Sequence, residues 1–263
     1  MSQASANVNV MIKAARKAAR SLLRDFAEVE QLQVSVKGPG NFVTRADLKA
    51  EEIVRAELTE ARPNYGWFAE ESAPVAGADP TRRWIVDPLD GTTNYLHGLP
   101  HWSVSIALEH KGEIVAGVIF DPVKDEIFVA EKGAGAWMND RRLRVSGRRE
   151  MTETVLATSI PFGGSPDLPQ TLKELANLAP RTAGIRRLGA GSLDLAYVAA
   201  GRLDGYWKRG ISLWDIAAGL IIVREAGGFA GPIDDDGRPV EGGGIVAGNP
   251  AVHEALRTVI RTA

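Results

Sequence analysis

The chain has 263 residues, of which 44% are hydrophobic and 24% charged, and its formal net charge is -2. That balance is ordinary for a globular protein with a substantial core, and it argues against a broadly basic surface made for direct nucleic-acid binding. There is no cysteine, which rules out disulfides, thiolate metal sites and a cysteine nucleophile, and agrees with a cytoplasmic location.

Met1 to Asn9 is small and polar and does not read as a signal peptide. The longest apolar runs, such as Ile216 to Val223, are too short to span a bilayer. Val8, Met11, Ile12, Ala15, Ala19, Leu22 and Phe26 recur at helical spacing, which predicts an amphipathic helix over 7–29. Gly-Pro-Gly within Lys37 to Asn41 predicts a turn, and Ala46 to Glu60 a second helix.

Trp84, Ile85 and Val86 predict a short buried strand that ends on Asp87, with Pro88 stopping the ladder. Trp102, Val104, Ile106 and Leu108 alternate as a strand does, and strands at Ile114 to Phe120 and Glu126 to Ala130 complete an antiparallel meander. The second half mixes both element types. Strands are predicted at Val155 to Ser159, near Gly205 to Lys208 and at Ile245 to Ala247. Helices are predicted at Leu168 to Leu178, Ser192 to Gly201, Ile216 to Ala226 and from Pro250 onward. Pro161 to Pro169 reads as a surface loop. The fold class is α+β, one domain over 1–263 with a seam near 150 that separates halves 1–150 and 151–263.

Carboxylates gather at Asp47, Glu70-Glu71, Asp87 with Asp90, and Asp215. Each has an ordinary reading. An Asp before Gly is commonly a turn residue, Glu-Glu a solvated face, and Asp215 a first-turn helix residue. The four histidines, His97, His101, His110 and His253, lack zinc-ligand spacing, and Gly189-Ala-Gly191 is too short for a dinucleotide fingerprint. Asp90-Gly-Thr-Thr93 has the composition of a tight turn entering a helix, where free N–H groups hold phosphate well. Two carboxylates three residues apart repel unless a cation lies between them, and oxygen donors favour Mg2+ over Zn2+.

Three blocks together resemble the inositol monophosphatase family: Glu70-Glu-Ser72, Asp87-Pro-Leu-Asp-Gly-Thr-Thr-Asn94 and Trp214-Asp-Ile-Ala-Ala-Gly219. His97-Gly-Leu-Pro100, Lys37-Gly38 and Thr44-Arg-Ala-Asp47 are also similar to family blocks. The resemblance runs from about residue 8 to 260. It implies a layered αβαβα sandwich, a homodimer and a lithium-sensitive phosphatase that needs two or three Mg2+ ions. It further implies that Glu70, Asp87 and the Leu89 carbonyl hold one metal and that Asp87, Asp90 and Asp215 hold another, with a weaker third at Glu70. Gly91 and Thr92 N–H groups would hold phosphate. Thr92 with Asp47, and Glu70, would position the attacking water.

On this resemblance the substrate is inositol 1-phosphate or a related small polyol phosphate, met by Gly189, Gly191, Lys208 and Asp215. Two positions depart from the family: Asn41 stands where many relatives have Asp, and Lys208 where inositol-specific members have Glu. Lys208 therefore predicts a broader phosphatase that favours a second anionic group. The alternatives are a phosphatase for histidinol phosphate, fructose 1,6-bisphosphate or a 3'-phosphonucleotide, and a regulatory protein that binds transcription machinery through the basic run Arg141, Arg142, Arg144, Arg148 and Arg149.

Overall fold

The computed structural model describes residues 4–27, 34–38, 41–161, 164–234 and 243–262, with the backbone alone for 34–38 and 41–43. Parts of the expected turn at 37–41, of the helix end at 28–29 and of the loop at 161–169 thus lie outside the described residues.

Helix α1 (Ala6–Phe26) starts on Ser5, whose side chain accepts from the Val8 N–H. A short hairpin, β1 (Val34–Gly38) and β2 (Asn41–Thr44), leads into α2 (Arg45–Ala61). Thr44 caps α2, and its backbone N–H and hydroxyl both donate to Asp47 Oδ2, a reciprocal capping box.

β3 (Tyr65–Ala69) pairs in parallel with β4 (Asp79–Asp90), and α3 (Thr92–Leu96) follows directly. An antiparallel meander then runs through β5 (Ser103–His110), β6 (Glu113–Asp121), β7 (Glu126–Glu131), β8 (Gly135–Met138) and β9 (Arg141–Arg142). These strands form a seven-stranded sheet in the order β3-β4-β5-β6-β7-β8-β9. The expected strand at 84–86 is longer than its composition suggested. β4 continues past Pro88 to Asp90, and the ladder to β5 skips: Asp87 faces Ser105 and Asp90 faces Ser103. An irregularity between these pairs lets proline sit in the strand without a lost ladder bond.

The second sheet contains β10 (Val155–Thr158), β11 (Gly184–Arg186), β12 (Gly205–Arg209), β13 (Phe229–Pro232) and β14 (Gly244–Gly248) in the order β11-β10-β12-β14-β13. Its helices are α4 (Leu168–Leu178), α5 (Gly191–Ala199), α6 (Leu213–Glu225) and α7 (Pro250–Arg261).

Strand alternation sorts the core into layers. Trp84, Val86, Val104 and Ile106 pack with Met11, Leu22, Val54 and Leu58 of α1 and α2. Ile85, Ala107 and Ile119 face the other way, against Leu193, Ile216 and Ile221 of α5 and α6. Tyr206, Ile245 and Ala247 close that middle layer from the second sheet. Their neighbours Trp207 and Val246 point outward to Leu178, Val252 and Leu256 of α4 and α7. The order is helices, sheet, helices, sheet, helices, an αβαβα sandwich. α6 is apolar all round because sheets lie on both of its sides.

Candidate active site

A cleft of roughly 440 Å³ opens where the two sheets meet the starts of α3, α5 and α6, and Glu70, Asp90, Gly91, Thr92, Gly189, Gly191, Lys208 and Asp215 all line it. Asp87, Leu89 and Asp47 stand immediately behind this wall, exposed by only 2%, 1% and 1%. The sequence-predicted residues are thus brought to one place from seven different elements or their ends.

The wall is built locally. Glu70 follows the last residue of β3 and its N–H donates to the Val86 carbonyl, which sets it beside β4. Asp87 Oδ1 accepts from the Leu89 N–H at 3.0 Å. Gly91 has φ +97°, and a Cβ there would approach the His101 carbonyl and Ala190 Cβ, so glycine alone makes this entry into α3 comfortable. Asn94 donates to the carbonyls of His101 and Leu188, each at 2.8 Å, tying α3 to the segment that carries Gly189. Thr92 Oγ1 lies 3.1 Å from both Asp47 Oδ1 and the Leu89 carbonyl oxygen.

Asp90 takes its geometry from α5. It accepts from Gly191 N (3.2 Å), Ser192 N (2.7 Å) and Ser192 Oγ (2.5 Å). Composition alone gave no hint of Ser192, because a serine at a helix start has no distinguishing signal until the partner carboxylate is known. Asp215 sits in the first turn of α6, beside Trp214, whose ring packs against Phe68 at 5.2 Å. Lys208 Nζ donates to Asp215 Oδ2 at 2.9 Å. The side chains of Lys37 and Asn41 lie outside the described part of the structure.

The electrostatics are those of crowded carboxylates. Burial, followed by the charges of Glu70, Asp90 and Asp215, holds the Asp87 carboxyl well above the usual range. Burial pushes Asp90 up to about 6, against the hydrogen bonds from Ser192. Burial also raises Asp47, in spite of its bonds from Thr44 and Thr92. Burial disfavours the Lys208 ammonium, yet Asp215, Tyr206 and Asp90 together more than offset this and keep its pKa raised.

This donor set is chemically suited to a hard divalent cation: Glu70, Asp87, Asp90, Asp215 and the Leu89 carbonyl offer only oxygen. The ammonium of Lys208 already acts as a cation on one of them. The fit lies in donor type and not in a finished cage, because among the described residues no three acidic or histidine side chains converge closely enough to hold an ion as they stand.

With this geometry in place, comparison with known proteins is decisive. The model of the inositol monophosphatase family matches residues 4–263. The chain belongs to the inositol monophosphatase family. It is 54% identical to the inositol-1-monophosphatase of Mesorhizobium japonicum over 257 residues, covering 98% of this chain and 97% of that protein. It is 42% identical to the Nus factor SuhB of Pseudomonas aeruginosa, covering 97% and 95%. The crystal structure of the extragenic suppressor protein suhB from Bartonella henselae superimposes with a TM-score of 0.92 at 50% identity, covering 98% of this chain and all of that one. Membership places the chain among phosphatases and accounts for the αβαβα layering. Among the described residues no helix is long and apolar enough to cross a membrane.

Proposed function

We propose that this family member is a Mg2+-dependent phosphomonoesterase that hydrolyses inositol 1-phosphate or a related small polyol phosphate. The observation that carries this reading is the meeting of Glu70, Asp90 and Asp215 with Gly91 and Thr92 in one cleft. When bound, Mg2+ neutralises charge on the transferring phosphoryl group and makes water a better nucleophile.

The protein groups divide the rest of the work. Glu70, Asp87 and the Leu89 carbonyl would hold one ion, Asp87, Asp90 and Asp215 a second, and Glu70 a weaker third. The N–H groups of Gly91 and Thr92 hold phosphate. Thr92, backed by Asp47, and Glu70 orient the attacking water. Gly189, Gly191, Lys208 and Asp215 border the alcohol side of the substrate. The chain works as one domain of two halves, as a cytoplasmic homodimer. Lithium sensitivity is expected from the family resemblance, and such inhibition would be uncompetitive toward substrate.

Lys208 bears on specificity. An ammonium donates and cannot accept, so it inverts the pattern a glutamate would offer to ring hydroxyls. Its pairing with Asp215 tempers the attraction for a second anionic group but does not remove it. The test is a phosphate-release panel of inositol 1-phosphate, fructose 1,6-bisphosphate, histidinol phosphate and a 3'-phosphonucleotide, measured with wild type and Lys208→Glu. The substitution should shift preference toward inositol 1-phosphate by about tenfold, the worth of one hydrogen bond. A wild type that ignores inositol 1-phosphate and favours another member of the panel would replace this substrate assignment.

A second reading is supported by the relatives named Nus factor SuhB and by the exposure of Arg141, Arg142, Arg144, Arg148 and Arg149. On it the chain also binds transcription machinery through this surface. Co-purification of polymerase components with Asp87→Asn would support it. Retention that is unchanged when the arginines are replaced would count against it. Arg148 already pairs with the buried Asp204, which reserves part of the run for the fold.

A further inference from the structure

Lys208 and Asp215 meet between two rigid elements. β12 is an inner strand, bonded to β10 on one side and to β14 on the other, with Lys208 opposite Ile245. The Thr158 hydroxyl donates to the carbonyl of the preceding residue, Trp207, at 2.7 Å. Alternation with Trp207 therefore fixes the Lys208 stem on the face that looks into the cleft. Asp215 is equally constrained in the first turn of α6 by the packing of Trp214 on Phe68.

The resulting pair is partly buried, with side chains 24% and 20% exposed, so solvent screens it less than a surface ion pair. The ammonium also acts on Asp90, the other cleft carboxylate of this side, and on Asp194. Because it is covalently attached, it is present at high effective concentration whatever the ionic composition of the solvent.

We propose that Lys208 is a tethered cation that competes with a divalent ion for Asp215, so that this chain binds the ion shared by Asp87, Asp90 and Asp215 weakly, while the ion held by Glu70, Asp87 and the Leu89 carbonyl stays tight. This inference rests on the reading that Glu70, Asp87, Asp90 and Asp215 hold divalent cations. An ion that takes Asp215 as a ligand has to draw it from the ammonium or share it against like-charge repulsion. Lys208 then sets how many ions are bound at a given concentration, independently of any contact with substrate.

The experiment counts ions on the substrate-free full chain, by Mn2+ titration followed by electron paramagnetic resonance and by calorimetry. Wild type, Lys208→Gln, Lys208→Met and Lys208→Arg are compared. Wild type should show one tight ion and a second weaker by about tenfold or more. The Gln and Met variants should tighten the second ion by about tenfold and leave the first within about twofold, whereas the Arg variant should keep the wild-type pattern. Two ions of equal affinity in wild type would overturn the proposal alone, with no variant needed. So would an unchanged weak site in Lys208→Gln and Lys208→Met. No Mn2+ binding by any of the proteins would instead remove the metal reading, and this proposal with it.

Discussion

Thr92 Oγ1 stands 3.1 Å from Asp47 Oδ1 and equally far from the Leu89 carbonyl oxygen, joining the start of α3 to the first turn of α2 across 45 positions of sequence. One hydroxyl proton serves one acceptor at a time. A donation to Asp47 leaves the Leu89 carbonyl free for another partner and the Thr92 lone pairs free to accept from water. Thr92→Ala should therefore lower kcat by roughly 100-fold, the scale of a lost positioning group, with KM changed by less than about threefold. Thr92→Ser should restore most of the loss. Steady-state kinetics decide it, and a change confined to KM would reduce Thr92 to a phosphate ligand.

Asp47 has a second duty, since its carboxylate closes the capping box with Thr44. Asp47→Asn should lower the stability of the protein by about 1 kcal/mol as well as slowing turnover. Urea unfolding separates the two effects. An activity loss with no change in stability would mean that the cap contributes little.

Asp87 is buried among three other carboxylates, each of which raises its pKa. Asp87→Asn removes a charge that only a cation can offset. Phosphate release should fall by at least roughly 1000-fold, several kcal/mol of transition-state stabilisation. Thermal unfolding in chelator should show no loss of stability, because the substitution relieves repulsion. A marked drop in Tm with activity retained would contradict both expectations.

Much of this was legible in the sequence, for identifiable reasons. The meander followed from the alternation of Trp102, Val104, Ile106 and Leu108 and from apolar runs between turns, even though helices cover both faces of its central strands. α7 was marked by Pro250, and α4 and α7 each keep one face on the core and one on solvent. β4 was cut short at Pro88 because proline usually ends a ladder, and the irregular step between Asp87 and Asp90 that admits it leaves no mark in composition. α6 was expected to begin three residues late, since a helix buried on all sides gives no periodic signal. The cleft carboxylates were found by motif. Their hydrogen-bond donors were not: Ser192 lies 102 positions from Asp90, and no local pattern reports such a contact. The Lys208–Asp215 pair was likewise invisible until β12 and the start of α6 were set side by side.

Gly117 marks where β6 meets α6. A Cβ there would lie 2.8 Å from the Ala218 carbonyl oxygen and from Ile221 Cγ2. Backbone cannot yield as a flexible side chain can, so Gly117→Ala should destabilise by about 1–3 kcal/mol, the usual cost of overpacking. Denaturant unfolding measures this directly. A variant as stable as wild type would mean that the sheet-to-helix spacing is softer than the packing implies.

His101 carries a pH prediction. Burial first, and then Lys124, push its pKa down to about 4, with Asp121 opposing. The folded protein therefore keeps the ring neutral where the unfolded chain, with an ordinary histidine pKa of about 6.5, binds a proton. His101 makes no demand on stability above about pH 6.5, and its effect destabilises the fold progressively as pH falls toward 4. Between these limits the urea midpoint should fall less steeply for His101→Gln than for wild type. Equal slopes would show that the ring is not held neutral.

The central claim is that this cleft releases phosphate from a small polyol ester only with divalent metal bound. The most direct measurement is inorganic phosphate release from inositol 1-phosphate by the purified chain, after exhaustive chelation and again after Mg2+ is restored. The account predicts no release above background in chelator, recovery on adding Mg2+, and no recovery in Asp87→Asn. Full turnover in chelator, or full turnover by Asp87→Asn, would contradict it.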